Sequence, residues 1–244
     1  MINVTVWNEF VHEQIRDDVK AVYPDGIHKV LADGLTKEGF ACRTATLDQD
    51  EHGLTESVLN STDVMLWWGH TAHDLVDDDI AEAVVRRVNE GMGLIVLHSG
   101  HFSKPFKQLM GTSCDLKWRV ADEQEILWCV NPTHPIAQGV NPSITLDKEE
   151  MYGEFFDVPA PDELVYLSNF EGGEVFRSGC TYRRGHGKIF YFRPGHETYP
   201  TYYNQDIMHI IANAVRWAYP ASNARPAFGR TEPQRAIGSS KLTV

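Results

Sequence analysis

VMLWWGHTAHDLVDDDIAEAVVRRVNEGMGLIVLHSGH, Val64 to His101, carries the architecture of the chain. Its first five residues, Val64 to Trp68, are an unbroken apolar run bounded by polar and turn residues. That is the pattern of a strand buried on both faces. Asp77, Asp78 and Asp79 then put carboxylates where the positive end of a helix dipole favours them. Ile80, Val84 and Val88 recur at helical spacing, and Gly91 stops the helix. Gly93 to His98 is a second apolar strand. Strand, helix, strand in this order predicts a parallel pair joined by a right-handed crossover.

The same alternation fills the N-terminal side. Ile2 to Trp7 reads as a strand. Ile27, Val30, Leu31 and Leu35 give a helix that ends at Gly39, and Ala41 to Thr46 is the next strand. Thr55 caps a short helix reaching Asn60. The order βαβαβαβ implies a parallel sheet with helices on both faces. After Gly111 the pattern loosens. Glu125 to Val130, Ile144 to Leu146, Glu163 to Asn169 and Cys180 to Arg184 are short strand candidates interrupted by Pro and Gly. They read as sheet edge and an excursion over the domain. Lys188 to Arg193 is again a core strand. Ile207, Ile210, Ile211, Ala214, Val215 and Ala218 form a last amphipathic helix, capped by Asn204. One α/β domain is expected over 1–220. Residues 221–244 follow as a surface tail, basic through Arg225, Arg230, Arg235 and Lys241.

With 244 residues, 42% of them hydrophobic, the chain can bury a sizeable core without disulfides or a structural metal. Its 34 acidic and 22 basic residues leave a formal charge of −12, which argues against a nucleic-acid partner. No apolar run approaches the roughly 18 residues of a membrane span, so no membrane partner is expected. The opening MINVTVWNEF has neither the basic start nor the apolar stretch of a signal peptide. Cys42, Cys114, Cys129 and Cys180 form no CxxC pair and read as reduced thiols of a cytoplasmic protein.

In an open parallel sheet, ligands bind outside the carboxyl ends of the strands. The first strand runs into Trp7, Asn8, Glu9, His12 and Glu13, and Val64–Trp68 runs into Gly69, His70 and His73. The GLIVLH strand runs into His98, Ser99, Gly100 and His101, and the late strand into Arg193, Gly195, His196 and Glu197. Histidine at four strand ends, with carboxylates beside it, points to a functional cleft. Neutral imidazole serves as a base near neutral pH and as a ligand for zinc or a similar ion. No HExxH motif fixes the metal reading, which stays open beside pure acid–base chemistry. Ser99 is read as the cap of the helix carrying Phe102 to Leu109, because the G-x-S-x-G spacing of a nucleophile elbow is absent. In EEMYGEFF, Glu150, Tyr152 and Glu154 share one face of an extended chain and could line a sugar-sized pocket.

VWNEFVHE, WWGHTAHD, GLIVLHSGHFSKPFKQLMGTSC, EEMYGEFF and FEGGEVFRSGCTYRRGHGKIFYFRPGHETYPTYYN together resemble the trehalose-utilisation ThuA family, over about residues 2 to 220. The resemblance implies a class I glutamine amidotransferase-like fold, a flavodoxin-like three-layer α/β sandwich with a mostly parallel sheet. In that superfamily a Cys stands at the strand-to-helix elbow, and a His-Pro-Glu follows late in the chain. Here His98 occupies the elbow and His196-Glu197 lacks the Pro, which speaks against amidotransferase and thiol chemistry. The resemblance further implies a role on 3-keto-disaccharides or related sugars, by hydrolysis, elimination or isomerisation. A non-catalytic sugar-binding or regulatory protein on a degenerate scaffold is the alternative.

On this reading His98, His101, His196 and Glu197 carry the acid–base work. His70, His101 and His196 would hold a divalent ion, zinc in first place, and no nucleotide cofactor is expected. Trp7, Asn8, Glu9, His12, Ser99, Glu150 and Tyr152 would contact a small sugar. The Trp-rich strand ends and the aromatic run KIFYF suggest a homo-oligomer.

Overall fold

Val64–Trp68 and Gly93–Leu97 are neighbouring parallel strands, and every residue of both is buried. In the computed structural model, which describes residues 1–220 and 229–231, the chain begins β1 (Asn3–Asn8), α1 (His12–Ile15), α2 (Asp17–Val22), α3 (Ile27–Lys37), β2 (Ala41–Thr46) and α4 (Glu56–Asn60). It continues β3 (Val64–Trp68), α5 (Asp78–Glu90), β4 (Gly93–Leu97), α6 (Lys104–Met110), β5 (Lys117–Cys129) and β6 (Ser143–Gly153). It ends β7 (Glu163–Phe170), β8 (Val175–Arg184), β9 (Gly187–Phe192) and α7 (Gln205–Ala218). Among the described residues these strands form one sheet in the order β2-β1-β3-β4-β9-β8-β7-β5-β6. The tail expected over 221–244 lies outside the described residues except for 229–231.

Alternate residues of the parallel strands feed two cores. Val64, Leu66 and Trp68 pack with α3 and α7, while Met65 and Trp67 pack with α5 and α6. This is the three-layer sandwich. Trp7 and Trp67 stack with centroids 3.9 Å apart, and both are buried. Burying an indole of about 150–250 Å² stabilises by roughly 4–6 kcal/mol at about 25 cal/mol per Å². That burial places Trp7 in the core, not beside a sugar. KIFYF is likewise interior: Ile189, Phe190, Tyr191 and Phe192 have no exposed surface, so they offer no face for self-association.

Thr55 and Asn204 cap α4 and α7 as their positions predict, Thr55 accepting one backbone N–H and Asn204 two with the side-chain oxygen. The cap of α6 is Ser103, not Ser99. The α1 and α2 helices, the first opening on His12 and the two joined at Arg16, have no apolar period long enough to announce them in the sequence.

Parallel pairing runs from β2 through β9, and beyond β9 every pairing is antiparallel. Short turns such as that between β8 and β9 join neighbouring strands directly, with no crossover helix. Glu163–Asn169 is nearly the whole of β7, while the other segments read as edge fragments are the ends of longer strands: the last part of β5, the start of β6 and the last part of β8. Register shifts between Arg119, Glu123 and Glu125 interrupt the β5–β6 pairing. Such bulges bend a hairpin. Beyond them Trp118 pairs with Tyr152, and the Tyr152 hydroxyl lies 3.3 Å from His98 Nε2. The hairpin thus reaches the carboxyl end of β4.

Candidate functional site

β1, β3, β4 and β9 are consecutive neighbours in the sheet, so their carboxyl ends lie side by side. A cavity of about 410 Å³ opens there, and His70, Ser99, His101, Glu150, Tyr152 and His196 are among the residues that line it.

The elbow after β4 is tight. His98 sits at φ 48°, a left-handed conformation that β-carbons disfavour, and its side chain has no exposure. Its Nδ1 lies 2.8 Å from the Arg193 carbonyl, which can only accept, so Nδ1 carries the proton. Nε2 then faces Glu150 Oε2 at 3.0 Å. Burial, with the Arg193 guanidinium, lowers the His98 pKa to about 3. Burial raises the Glu150 carboxyl, against the pull of His196 and His70. Neutral His98 leaves Nε2 as an acceptor, with the Tyr152 hydroxyl 3.3 Å away as a donor.

His101 is built the same way. Its Nδ1 donates to the Cys114 carbonyl at 2.7 Å, which leaves Nε2 unprotonated on a ring that borders the cavity. Burial lowers its pKa to about 3, although the Cys114 carbonyl opposes the shift.

Gly195 turns the chain after β9 at φ 128°, and a β-carbon there would meet the Tyr202 hydroxyl at 2.0 Å. That turn delivers His196 and Glu197. His196 Nε2 is 3.5 Å from Glu197 Oε2 and 3.9 Å from Glu150 Oε2. His70 Nε2 is 3.8 Å from Glu197 Oε2. Burial alone would raise the Glu197 carboxyl. The hydrogen bond from His12 Nδ1 at 2.8 Å and the nearby imidazoles outweigh it and hold the carboxyl well below its usual range. Glu197 Oε2 and His70 Nδ1 are buried without a hydrogen-bond partner among the described residues.

The expected site residues therefore divide. His70, His101, His196, Ser99, Glu150 and Tyr152 line the cavity. His98 and Glu197, expected to act on substrate directly, are fully buried behind its wall, beside Glu150 and beside His196 and His70 respectively. Ser99 spends its hydroxyl on the Gly69 carbonyl at 2.8 Å. Asn8 is also interior, donating to Glu13 Oε1 at 2.6 Å. Glu9 accepts the backbone N–H groups of His70, Thr71 and Ala72 and so shapes the loop after β3. Neither Asn8 nor Glu9 is among the residues that line the cavity. His12 reaches Glu197 and not the cavity lining.

The expected metal set also changes. His70 and His196 converge with Glu150, each offering one ligand atom within 4.8 Å of the others. His101 belongs to no such group among the described residues: its Nδ1 is held by the Cys114 carbonyl, and its ligand atoms do not come within 4.8 Å of two other such groups. His73, one of the strand-end histidines, also lines the cavity; Arg16, Phe102, Asp115, Trp118 and Thr198 complete much of the lining and were not anticipated.

Acid should destabilise this arrangement. The folded pKa of His98 and His101 is depressed from 6.5 to about 3, so each contributes stability above pH 6.5 that is lost as pH falls towards 3. Glu125, raised by burial to about 7, opposes this with stability lost as pH rises through 7. The histidines outnumber it. The thermal midpoint of chelator-treated protein is expected to fall between pH 7 and pH 4; a constant or rising midpoint contradicts neutral buried histidines.

A parallel sheet with its strained elbow at the central strand end, extended by an antiparallel half, defines an α/β domain of the glutamine amidotransferase-like class. Its elbow residue is histidine. Several solved structures share the fold, three of which illustrate it. A ThuA-like protein from Parabacteroides merdae superposes with TM-score 0.68 at 13% identity, covering 91% of this chain and 92% of that one. A protein titled cytoplasmic, from Salmonella typhimurium, gives 0.57 at 14% identity, covering 89% and 99%. PurLQS from Thermotoga maritima gives 0.54 at 13% identity, covering 88% and 98%. No curated protein sequence matches the chain. The ThuA family model, described as trehalose utilisation, matches residues 3–218, and the chain belongs to that family.

Proposed function

We propose that the protein is a cytoplasmic enzyme of disaccharide breakdown that acts on a 3-keto-glycoside by hydrolysis, elimination or isomerisation. The observation that carries this reading is the convergence of His70, Glu150 and His196 in the 410 Å³ cavity. The family's description, trehalose utilisation, supports the substrate class. The Salmonella relative's title supports the compartment, and no described helix is long and apolar enough to cross a membrane.

The residues present fit a divalent ion. Two imidazoles and a carboxylate suit zinc or a similar metal, and the orphaned Glu197 Oε2 is a buried anionic oxygen that a cation would satisfy. When bound, such an ion would polarise the keto oxygen of the sugar. His70, Glu150 and His196 would hold it.

The chain's own groups supply the rest. A ketone acidifies the neighbouring C–H. His101 Nε2, unprotonated at neutral pH, takes that proton, and the electron pair of the C–H bond passes to the keto oxygen as an enolate. His101, now imidazolium, returns the proton to a neighbouring carbon or to a departing glycosidic oxygen. These two fates separate isomerisation from elimination. Glu197 holds His12 by a hydrogen bond and faces His196 and His70, and His98 orients Glu150 and Tyr152.

The test uses tag-free protein. Elemental analysis should find a near-stoichiometric divalent metal. Incubation with 3-keto-trehalose should give new products, and incubation with trehalose should not. A chelator should suppress the reaction. Saturable sugar binding with no product would make the protein a binding module, and full activity without metal would leave the histidines to act alone.

A further inference from the structure

Trp118 stands apart from the other indoles. It is 67% exposed on β5, and among the described residues its ring has no aromatic or hydrogen-bonding partner. Trp128, also exposed on β5, is tied to Asn169 Oδ1 at 2.8 Å. Trp7, Trp67 and Trp68 are buried. Trp118 nevertheless lines the cavity that holds His101, Glu150 and His196. Val120 and Phe102, 53% and 38% exposed, line it too. Arg16 and Asp115 add polar groups to the same wall.

An unpartnered indole beside a polar cleft costs exposed apolar area, and a ligand's apolar face would cover it. A pyranose ring has such a face in its C–H groups, with hydroxyls at its rim for Arg16 and Asp115. If the polar cluster holds one ring, the exposed aromatic wall is left for another.

We propose that Trp118, with Val120 and Phe102, forms an outer subsite on which the second ring of a disaccharide stacks, so that the cleft selects disaccharides over single hexoses. This rests on the carbohydrate reading above and adds to it the residue that sets substrate length.

The experiment compares the metal-loaded wild type with Trp118→Ala and Trp118→Phe, using 3-keto-trehalose and 3-keto-glucose. In the wild type, 3-keto-trehalose should shield one tryptophan from iodide quenching and bind more tightly than 3-keto-glucose. Trp118→Ala should abolish that shielding and weaken disaccharide binding about 5- to 20-fold, with 3-keto-glucose binding within about twofold of wild type. Trp118→Phe should recover part of the disaccharide affinity. Unchanged disaccharide preference in Trp118→Ala overturns the subsite and leaves the carbohydrate reading standing. No binding of either sugar by the wild type overturns that reading and the subsite with it. A wild-type dimer in sedimentation that Trp118→Ala converts to monomer also overturns the subsite, because the indole is then an interface residue.

Discussion

His101→Asn is expected to lower turnover of a 3-keto-disaccharide by about 10²- to 10⁴-fold, the range for loss of a general base. The asparagine amide can still donate to the Cys114 carbonyl, as His101 Nδ1 does at 2.7 Å. What disappears is the unprotonated Nε2. The thermal midpoint should therefore stay within a few degrees, and metal content should not change, because His101 stands outside the convergent group. His196→Ala supplies the contrast. It removes a member of that group, so turnover and metal content should fall together. Measuring kcat, thermal midpoint and bound metal on both variants separates the two roles. If His101→Asn keeps wild-type kcat, the proton is taken elsewhere and the assignment fails.

Arg193→Met should produce the largest loss of stability. Arg193 is fully buried, as are Glu125 and Glu149 beside it. It pairs with Glu125, lies 3.4 Å from Glu149 Oε2 and donates to the Glu150 carbonyl at 2.6 Å. Removing the one cation leaves two buried carboxyl groups without it, a change that typically costs about 3–5 kcal/mol. For a chain of this size that is roughly 6–20 °C in thermal midpoint. Adding Glu125→Gln to Arg193→Met should recover part of the loss, since it removes one of the stranded charges. A midpoint within about 2 °C of wild type for Arg193→Met would show that the network contributes little.

The parallel half was legible because its signals are local. Val64–Trp68 and Ala41–Thr46 match their predicted bounds, and Gly91 ends α5 where its position says it should. The rule that ligands gather at strand ends then found His70, His101 and His196 without coordinates. It could not say which way each side chain points. Asn8 and Glu9 follow β1 directly, yet they spend their polar groups on Glu13 and on the loop after β3. His98 lies at the centre of the elbow and is sealed behind Glu150. The far half was harder. Its pairings join residues such as Trp118 and Tyr152, which only long-range register brings together. Trp118 carried one available signal, a large aromatic in a strand otherwise rich in charge, and α1 and α2 gave almost none.

One hydrogen-bonded ladder runs from β2 to β6, so the imidazoles at the ends of β3, β4 and β9 and the wall on β5 and β6 share a single frame. Cleft enzymes assembled between two lobes must close a hinge before their groups meet, and the free energy of closure weakens the observed affinity. Here no lobe has to travel. The ordering demanded by capture falls on the sugar and on exposed side chains such as Arg16 and Trp118, which lends the protein the character of a preorganised template.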